Sequence, residues 1–211
     1  MGKVIAVDGP AGAGKSTVSK IVANKLGYTY IDTGAMYRAV GLKYSETCED
    51  LIDVVEKIDI ELDDKARVFV DGQDVTAKIR TPEISKLASD VSKFGFVRKK
   101  LTELQRKMAE RGSVIMDGRD IGTQVLPNAD LKIFLTASLE ERARRRFEEL
   151  KAKEQIVNFD AIKTEIALRD KQDSEREIAP LKQADDAILI DSTHLTIDEV
   201  VAQILSLCST H

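Results

Sequence analysis

The chain alternates short apolar runs with longer segments in which apolar residues recur every three or four positions. Residues 3–7 form a short β-branched run, which is typical of a buried strand. Val18, Val22 and Leu26 follow with the spacing of one helix face. Further apolar runs occupy residues 28–32, 113–116, 131–135 and 187–191. Because helical material separates these five strands, the pattern predicts an α/β fold with a five-stranded parallel sheet flanked by helices and right-handed crossovers.

One stretch departs from this alternation and predicts a small antiparallel β/α insertion. Residues 58–62 alternate apolar and polar side chains, residues 63–65 suit a turn, and residues 68–70 are apolar and β-prone. Asp71-Gly72 is a strong tight-turn signal. Helices are predicted around it and beyond it at residues 35–44, 51–58, from 81 onward, 97–111 and 197–205.

The first strand and first helix are joined by a glycine-rich loop that fits the phosphate-binding pattern Gly, four residues, Gly, Lys, Ser or Thr. Its residues are Gly9, Pro10, Ala11, Gly12, Ala13, Gly14, Lys15, Ser16 and Thr17. The glycines let consecutive backbone N–H groups converge on one anion at a helix N-terminus. Lys15 is expected to reach the β- and γ-phosphates of a nucleoside triphosphate, and the Ser16 hydroxyl is expected to coordinate Mg²⁺.

Composition narrows the class of protein. With 211 residues, 43 % hydrophobic and 32 % charged, the chain is long enough for one sizeable core and a small second lobe. A net charge of −4 argues against a general nucleic-acid binder. There is no apolar run of membrane-spanning length and no signal-like start, so we expect a cytoplasmic protein without membrane partners. Its two cysteines and two histidines lack metal-ligand spacing.

The segment between the fourth and fifth strands is helical, rich in charges of both signs and poor in apolar residues. It contains Arg142, Arg146, Arg169 and Arg176. Two interpretations stay open on the residues alone. It is either a solvated helix pair with surface ion pairs, or a mobile lid that presents arginines to phosphates.

Asp117 and Asp120 follow the third strand of the core, in the motif Asp-Gly-Arg-Asp. At a strand end beside the phosphate loop they fit a general base for a hydroxyl acceptor, or hydrogen-bond acceptors for a phosphorylated one. A kinase of a nucleoside or small metabolite, and a regulatory module that binds ATP without transferring phosphate, therefore remain alternatives. The Asn-Lys-x-Asp motif that reads guanine is missing, which disfavours a switch GTPase.

Five segments together resemble bacterial cytidylate kinases in order and spacing, over essentially the whole chain. They are residues 9–17, 31–38, 79–81, 117–123 and 169–176. The resemblance implies a nucleoside monophosphate kinase that transfers the ATP γ-phosphate to CMP or dCMP, giving CDP or dCDP, with Mg²⁺. It implies a core P-loop domain (1–36, 96–145 and 179–211), an insertion that binds the monophosphate (37–95) and a lid (146–178). We expect a monomer that acts on small molecules.

The same resemblance assigns roles to individual residues. Lys15, Arg119 and Arg176 are expected to be catalytic, and Arg142 and Arg146 to join the phosphate loop in binding ATP. Ser89, Arg98 and Asp120 are expected to read cytosine, Arg169 and Asp173 to contact the sugar, and Thr33, Arg38, Arg119 and Arg176 to hold the acceptor phosphate. Tyr37, Arg80 and Asp117 complete the expected CMP site.

Such a set suits the chemistry of cytosine. The base offers an amino donor at N4 and acceptors at N3 and O2, which an Asp or Ser acceptor beside an Arg donor complements. Uracil reverses the first two groups, so UMP is expected to be the poorer substrate.

Overall fold

The fold is described from a computed structural model, which covers residues 2–63, 65–110, 112–154 and 156–210. Asp64 in the predicted turn and Arg111 at a predicted helix end lie outside the described residues. The elements are β1 (Val4–Asp8), α1 (Lys15–Leu26), β2 (Thr29–Asp32), α2 (Thr33–Glu46), α3 (Leu51–Lys57), β3 (Ile60–Leu62), β4 (Val68–Val70), β5 (Gln73–Asp74), α4 (Pro82–Val91), α5 (Gly95–Ala109), β6 (Val114–Asp117), β7 (Leu131–Thr136), α6 (Leu139–Ala152), α7 (Phe159–Glu175), β8 (Ile188–Asp191) and α8 (Ile197–Thr210).

The main sheet has five parallel strands in the order β2-β6-β1-β7-β8, which confirms the predicted architecture. β1 is central, and the chain leaves it toward helix α1. Asp117 at the end of β6 stands level with Val7 of β1 and with Asp32 of β2. The carboxyl ends of these three strands therefore meet at one edge, where parallel sheets bind ligands.

Helices cover both faces of this sheet. Successive side chains of a strand point to opposite faces, so Ile5 and Ala6 enter different hydrophobic cores. α1 and α8 cover one face, with Val22 and Ile204 fully buried. α2 and α5 cover the other, where Leu101 is fully buried. Burial on both faces explains why the inner strands β1 and β6 are apolar along most of their length.

The predicted insertion forms a second sheet of antiparallel strands in the order β3-β4-β5, as expected. Its buried residues Ile60, Val68 and Val70 belong to the same hydrophobic cluster as α2 and α5. The insertion is thus packed onto one face of the main sheet through shared side chains.

Two helices, α2 and α5, begin two residues earlier than the sequence predicts, and a local cap explains the start of α2. α2 begins at Thr33, two residues earlier than predicted, because Asp32 accepts a hydrogen bond from the Ala35 backbone N–H at 2.8 Å and caps the helix. α5 runs from Gly95 to Ala109 rather than from residue 97 to residue 111. The helix interiors lie where the apolar spacing placed them.

α6 and α7 pack against each other around a small third cluster. Ala143, Ile162 and Ile166 are buried there, and the rings of Phe147 and Phe159 meet edge to face at 6.0 Å. The sequence had shown no continuous apolar face in this segment, because the contributing residues are scattered over two helices. Among the described residues, no helix has the length and apolar character needed to cross a bilayer.

Candidate active site

The phosphate loop connects β1 to α1 through backbone conformations that only glycine adopts easily. Gly9, Gly12 and Gly14 have φ angles of 146°, 74° and 88°. A Cβ atom on Gly9 would lie 1.9 Å from the carbonyl oxygen of Leu135 in the neighbouring strand β7. Any side chain there would force the loop away from the sheet, so Gly9 is needed for the close approach.

Lys15, the first residue of α1, is buried. Its Nζ donates a hydrogen bond to the carbonyl oxygen of Pro10 at 2.8 Å, so the side chain folds back along the loop. Burial and the nearby Arg119 guanidinium lower the pKa of Lys15 well below its usual value. A negatively charged ligand at the loop would oppose both effects.

Asp117 links the phosphate loop to two strands. Its Oδ2 accepts a hydrogen bond from the Ser16 hydroxyl at 2.7 Å, and its Oδ1 accepts one from the Tyr30 hydroxyl at 2.9 Å. Its backbone carbonyl accepts a hydrogen bond from the Thr33 hydroxyl at 2.8 Å. Burial, with the charge of Asp32, raises the pKa of Asp117 to about 6.

This arrangement fits a magnesium ion. Because the Ser16 hydroxyl donates its hydrogen bond to Asp117, the lone pairs of its oxygen remain available to a cation. Mg²⁺ prefers oxygen ligands and is usually held by one or two protein groups together with phosphates and water. Within the described ranges no group of three or more His, Cys, Asp or Glu side chains is placed to hold a metal. The Ser16 hydroxyl, oriented by Asp117, fits such a role as a single protein ligand.

Guanidinium groups converge on the other end of the same edge. Arg38, Arg119 and Arg169 line one cavity with the phosphate loop. The Nε atoms of Arg38 and Arg169 are buried, and neither has a hydrogen-bond partner in the part of the chain that the structure describes. Burial and the charge of Arg119 lower the pKa of Arg169 to about 10. Buried cations with unused donors are the signature of an anion site.

A carboxylate at the end of β2 balances part of this positive charge. Asp32 forms ion pairs with Arg38 at 3.0 Å and with Arg80 at 3.1 Å. Burial alone would raise the pKa of Asp32, but the two guanidinium groups outweigh it and the pKa lies below the usual value. Asp32 therefore stays ionised and fixes the orientation of Arg38.

A polar pocket lies farther from the phosphate loop. Arg98 Nη2 is 2.5 Å from Asp120 Oδ2, and the pair is buried. Arg98 also lies over the ring of Tyr37, with 5.4 Å from Cζ to the ring centroid. Arg176 approaches Asp120 at 3.9 Å, and Ser89 lines the cavity beside them.

Helix α7 carries its predicted residues on one face. Arg169 and Asp173 are one helical turn apart, and both line the cavity together with Arg176, which follows the last residue of the helix. Asp173 Oδ2 accepts a hydrogen bond from Arg119 Nε at 3.0 Å, which joins α7 to the strand-end motif after β6.

The cavity holds about 830 Å³ and gathers most of the predicted site residues. Four are off its wall: Gly9, Pro10, Arg80 and Arg142. Arg80 is exposed and reaches the site only through Asp32. Arg142 is buried beneath the phosphate loop, so any effect on ATP passes through the loop. Arg146 lies on the wall and pairs with Glu149 at 2.8 Å.

Comparison with known proteins agrees with this geometry. The family model described as cytidylate kinase matches residues 5–210. The chain belongs to the cytidylate kinase family. The cytidylate kinase of Caldicellulosiruptor bescii is 55 % identical over 96 % of this chain and 94 % of its own length. That of Bacillus subtilis is 53 % identical over 95 % of this chain and 94 % of its own.

A structural comparison adds the fold alone. Shikimate kinase from Bacteroides thetaiotaomicron is 14 % identical, with a TM-score of 0.52 over 98 % of both chains. The family model and the two curated relatives confirm the predicted resemblance to cytidylate kinases. At the level of the family, the chain is a kinase that phosphorylates CMP.

Some cavity residues were missed by sequence reasoning. Arg144, Arg145, Ser192, Leu195 and Thr196 extend the cavity beyond the phosphate loop toward α8. Arg145 Nη2 donates to the Ser192 carbonyl oxygen at 2.6 Å. The rule that ligands bind at the carboxyl ends of parallel strands would have pointed to Ser192, which follows β8. No sequence pattern pointed to Tyr30, because its role depends on a hydrogen bond from its hydroxyl to Asp117 on the neighbouring strand β6.

Proposed function

We propose that this cytidylate kinase family member transfers the γ-phosphoryl group of ATP to CMP or dCMP, with Mg²⁺, giving ADP and CDP or dCDP. The observation that carries the proposal is a single cavity lined by the phosphate loop and by three arginines, which we assign to two phosphate-binding ends. Residues 11–17 form one end, and Arg38, Arg119 and Arg169 form the other. Two anionic ligands held in one cavity are what transfer between nucleotides requires.

At the acceptor end, the buried Nε atoms of Arg38 and Arg169 would donate to the phosphate and sugar of the monophosphate. Arg119 Nε is held by Asp173 and its Nη1 donates to the Gly118 carbonyl oxygen. Its Nη2 would donate to the transferring group. Arg176 lies near the base end, 3.9 Å from Asp120, and would contribute positive charge there.

The buried pair of Arg98 and Asp120, with Ser89, supports recognition of cytosine. The carboxylate would accept from the N4 amino group, and the guanidinium would donate to N3 or O2. Asp120 is fixed by Arg98, so it presents an acceptor to the base in one orientation. A uracil O4 would face the same carboxylate and be repelled.

The arrangement favours transfer without a general base. Both carboxylate oxygens of Asp117 already accept hydrogen bonds, and Asp120 is paired with Arg98. The phosphate of CMP is mostly dianionic at neutral pH and can attack without losing a proton first. Arg119 lies close enough to Lys15 to lower the pKa of the lysine, so both would face the negative charge that spreads over the transferring group.

Ser16 would provide a protein ligand to Mg²⁺, with Asp117 orienting its hydroxyl. When bound, the ion neutralises charge on the β- and γ-phosphates and aligns them. Leu195 and Thr196, with Arg145, line the part of the cavity where the adenosine portion of ATP would lie.

The proposal also includes the division into a core (1–36, 96–145 and 179–211), a monophosphate-binding insertion (37–95) and a lid (146–178). Within the lid range, α7 supplies Arg169 and Asp173 to the cavity and is followed directly by Arg176, and α4 within the insertion supplies Ser89. Movement of these two parts over the ligands would exclude water from the transferring group. The chain would act as a monomer.

The test is ADP formation from ATP and Mg²⁺ with CMP, dCMP, UMP, AMP or shikimate offered separately. We expect rapid turnover with CMP and dCMP, slow turnover with UMP and none with the others. Turnover with shikimate alone would favour a metabolite kinase, and ATP binding without any turnover would favour a regulatory module.

Lys15→Ala should lower kcat by roughly 10²-fold or more, the usual loss when one preorganised donor is removed from a reacting centre. Lys20→Ala, on the exposed side of the same helix α1, is the matched control and should behave as wild type. Equal rates for the two variants would remove Lys15 from the proposed role.

A further inference from the structure

Helix α7 reaches the phosphate loop as well as the acceptor end of the cavity. Asp170 Oδ1 accepts a hydrogen bond from the backbone nitrogen of Ala11 at 3.2 Å. Asp170 Oδ2 lies 2.5 Å from Arg142 Nη1, and that same nitrogen donates to the carbonyl oxygen of Ala11 at 2.9 Å. One ion pair therefore holds both polar groups of the Ala11 backbone.

The pair is largely shielded from water. The side chains of Arg142 and Asp170 are 8 % and 20 % exposed, so water screens their attraction weakly. Arg142 Nε also donates to the Ala137 carbonyl oxygen at 2.9 Å, which anchors the guanidinium to the end of β7. A Cβ atom on Gly12 would lie 3.2 Å from Arg142 Cβ, so Arg142 packs directly against the loop.

Asp170 is the neighbour in sequence of Arg169, and both are on α7. Arg169 faces the acceptor end, and Asp173 one turn later binds Arg119. Within one helical turn, α7 thus contacts the acceptor end and the loop that binds the donor. A hydrogen-bonded helix moves as a unit over this length, so displacement of Arg169 carries Asp170 with it.

We propose that Asp170 and Arg142 are positioning residues that fix the phosphate loop through Ala11 and couple occupancy of the acceptor site to affinity for ATP. This inference rests on the proposed function, because it takes CMP as the acceptor. CMP orders α7 through Arg169 and Asp173, and α7 holds the loop in its binding conformation. By linkage, ATP tightens the binding of CMP by the same factor.

The experiment is calorimetric titration with Mg²⁺ and the ATP analogue that has an imido bridge between the β- and γ-phosphates, with and without saturating CMP. The variants are Asp170→Asn, Arg142→Lys and the double variant. Arg142→Lys keeps the charge but replaces the fork of donors, which serves three acceptors, by one ammonium group. Glu175→Gln, an exposed carboxylate-to-amide change on the same helix, is the matched control.

In the wild type and in Glu175→Gln, CMP should tighten binding of the analogue by roughly fivefold or more, the lower range of measured couplings. In each single variant this tightening should be lost, while the affinity for CMP alone changes little. The double variant should lose no more than either single variant, because the two residues act as one unit.

Several outcomes would overturn the inference. They are a wild type without CMP-dependent tightening, a folded single variant that keeps it, or variants whose melting temperature falls while the coupling is intact. If Asp170→Asn does not fold, Arg142→Lys decides, and failure of both to fold would show that the pair serves only stability. CMP turnover by the wild type is measured first. Its absence contradicts the proposed function, whereas turnover with unaltered coupling in the variants contradicts this inference alone.

Discussion

At the scale of single residues, the site is governed by how buried charges are paired. Asp120 and Arg98 neutralise each other, and Asp32 is held ionised by two arginines, whereas Arg169 has an unused donor. Paired charges stay with their partners when a ligand binds, and unpaired ones are left for the ligand. Arg38 and Arg119 combine both features, because each keeps a carboxylate partner and is proposed to bind phosphate with its remaining donors.

Asp120→Asn is expected to reduce selectivity for cytosine. The amide offers one acceptor and one donor, so the base pocket loses charge and no longer repels the uracil O4. We expect kcat/KM for CMP to fall roughly thirtyfold. This corresponds to a loss of about 2 kcal/mol in transition-state stabilisation, the lower range for removing one partner of a buried charge pair. The ratio of UMP to CMP turnover should rise, and KM for ATP should change little.

Steady-state kinetics with both monophosphates measures this. Asp53→Asn, an exposed residue of α3, is the control and should match wild type. Unchanged CMP kinetics in Asp120→Asn would remove Asp120 from base recognition.

Asp8 gives a prediction about pH. It is buried and accepts hydrogen bonds from the backbone N–H groups of Ile121 and Gly122 at 2.8 and 2.7 Å. Burial raises its pKa from 3.8 to about 6, with the N–H groups opposing. A raised carboxyl pKa means that the folded state binds more protons than the unfolded state between these values. Its contribution to stability is thus lost as pH rises from about 4 to about 6.

Urea unfolding of the ligand-free protein between pH 4.5 and 8 tests this by comparison with Asp8→Asn. Relative to the variant, the wild type should lose on the order of 2–3 kcal/mol as pH rises through this window, with no further change above it. A difference between the two proteins that is constant with pH, or that grows with rising pH, would contradict the assigned pKa direction.

At the scale of elements, the α6–α7 pair depends on a cluster separate from the two main cores. Ile162 and Ile166 are buried against α6, whereas the surface of the pair is covered by ion pairs such as Arg144–Glu141 and Lys153–Glu149. Exposed pairs contribute little stability, so the apolar cluster and the buried Arg142–Asp170 pair are the main links between the two helices. A small cluster makes this the part of the structure most easily loosened.

Ile166→Ala should therefore loosen α7 without disturbing the main sheet. Deleting a buried isoleucine side chain typically costs 2–5 kcal/mol, and we expect about 2 kcal/mol in this small cluster. Hydrogen exchange should accelerate in α6 and α7 and stay unchanged in β1 and β6. KM for CMP should rise, because α7 carries Arg169 and Asp173.

Leu168→Ala is the matched control, since that side chain on the same helix is 56 % exposed. Its exchange and kinetics should stay close to wild type. Equal acceleration across the main sheet in Ile166→Ala would show that the two helices do not unfold separately.

At the scale of the whole molecule, distant segments of the chain meet at one cavity. The phosphate loop, the strand end after β6 and helix α7 contribute from the beginning, the middle and the later part of the sequence. Closing this cavity over both nucleotides would keep water from the γ-phosphoryl group. The phosphoryl-transfer step is therefore expected to depend on closure of the cavity.

Hydrolysis of ATP without CMP should accordingly be at least roughly tenfold slower than transfer to CMP, because the water-excluding closed state needs both ligands. Phosphate release and CDP formation measured in parallel provide the ratio. Comparable rates for the two reactions would argue against closure.

The sequence alone determined the sheet, the loop and most of the cavity wall. The five parallel strands follow from apolar runs alternating with helical spacing, and the phosphate loop from glycines whose φ angles other residues rarely adopt. The motifs at residues 31–38, 117–123 and 169–176 pointed to arginines that the structure brings to one cavity. Such signals are local, so they can be read without coordinates.

The tertiary structure decided which charged side chains are buried and which partners they have. Arg142 and Arg146 have the same side chain and lie one helical turn apart, yet Arg142 is buried beneath the loop with Asp170 and Arg146 lies on the cavity wall. Tyr30 meets Asp117 only because β2 and β6 are neighbours in register. Burial and partnership depend on contacts between residues far apart in sequence, and no local pattern encodes them.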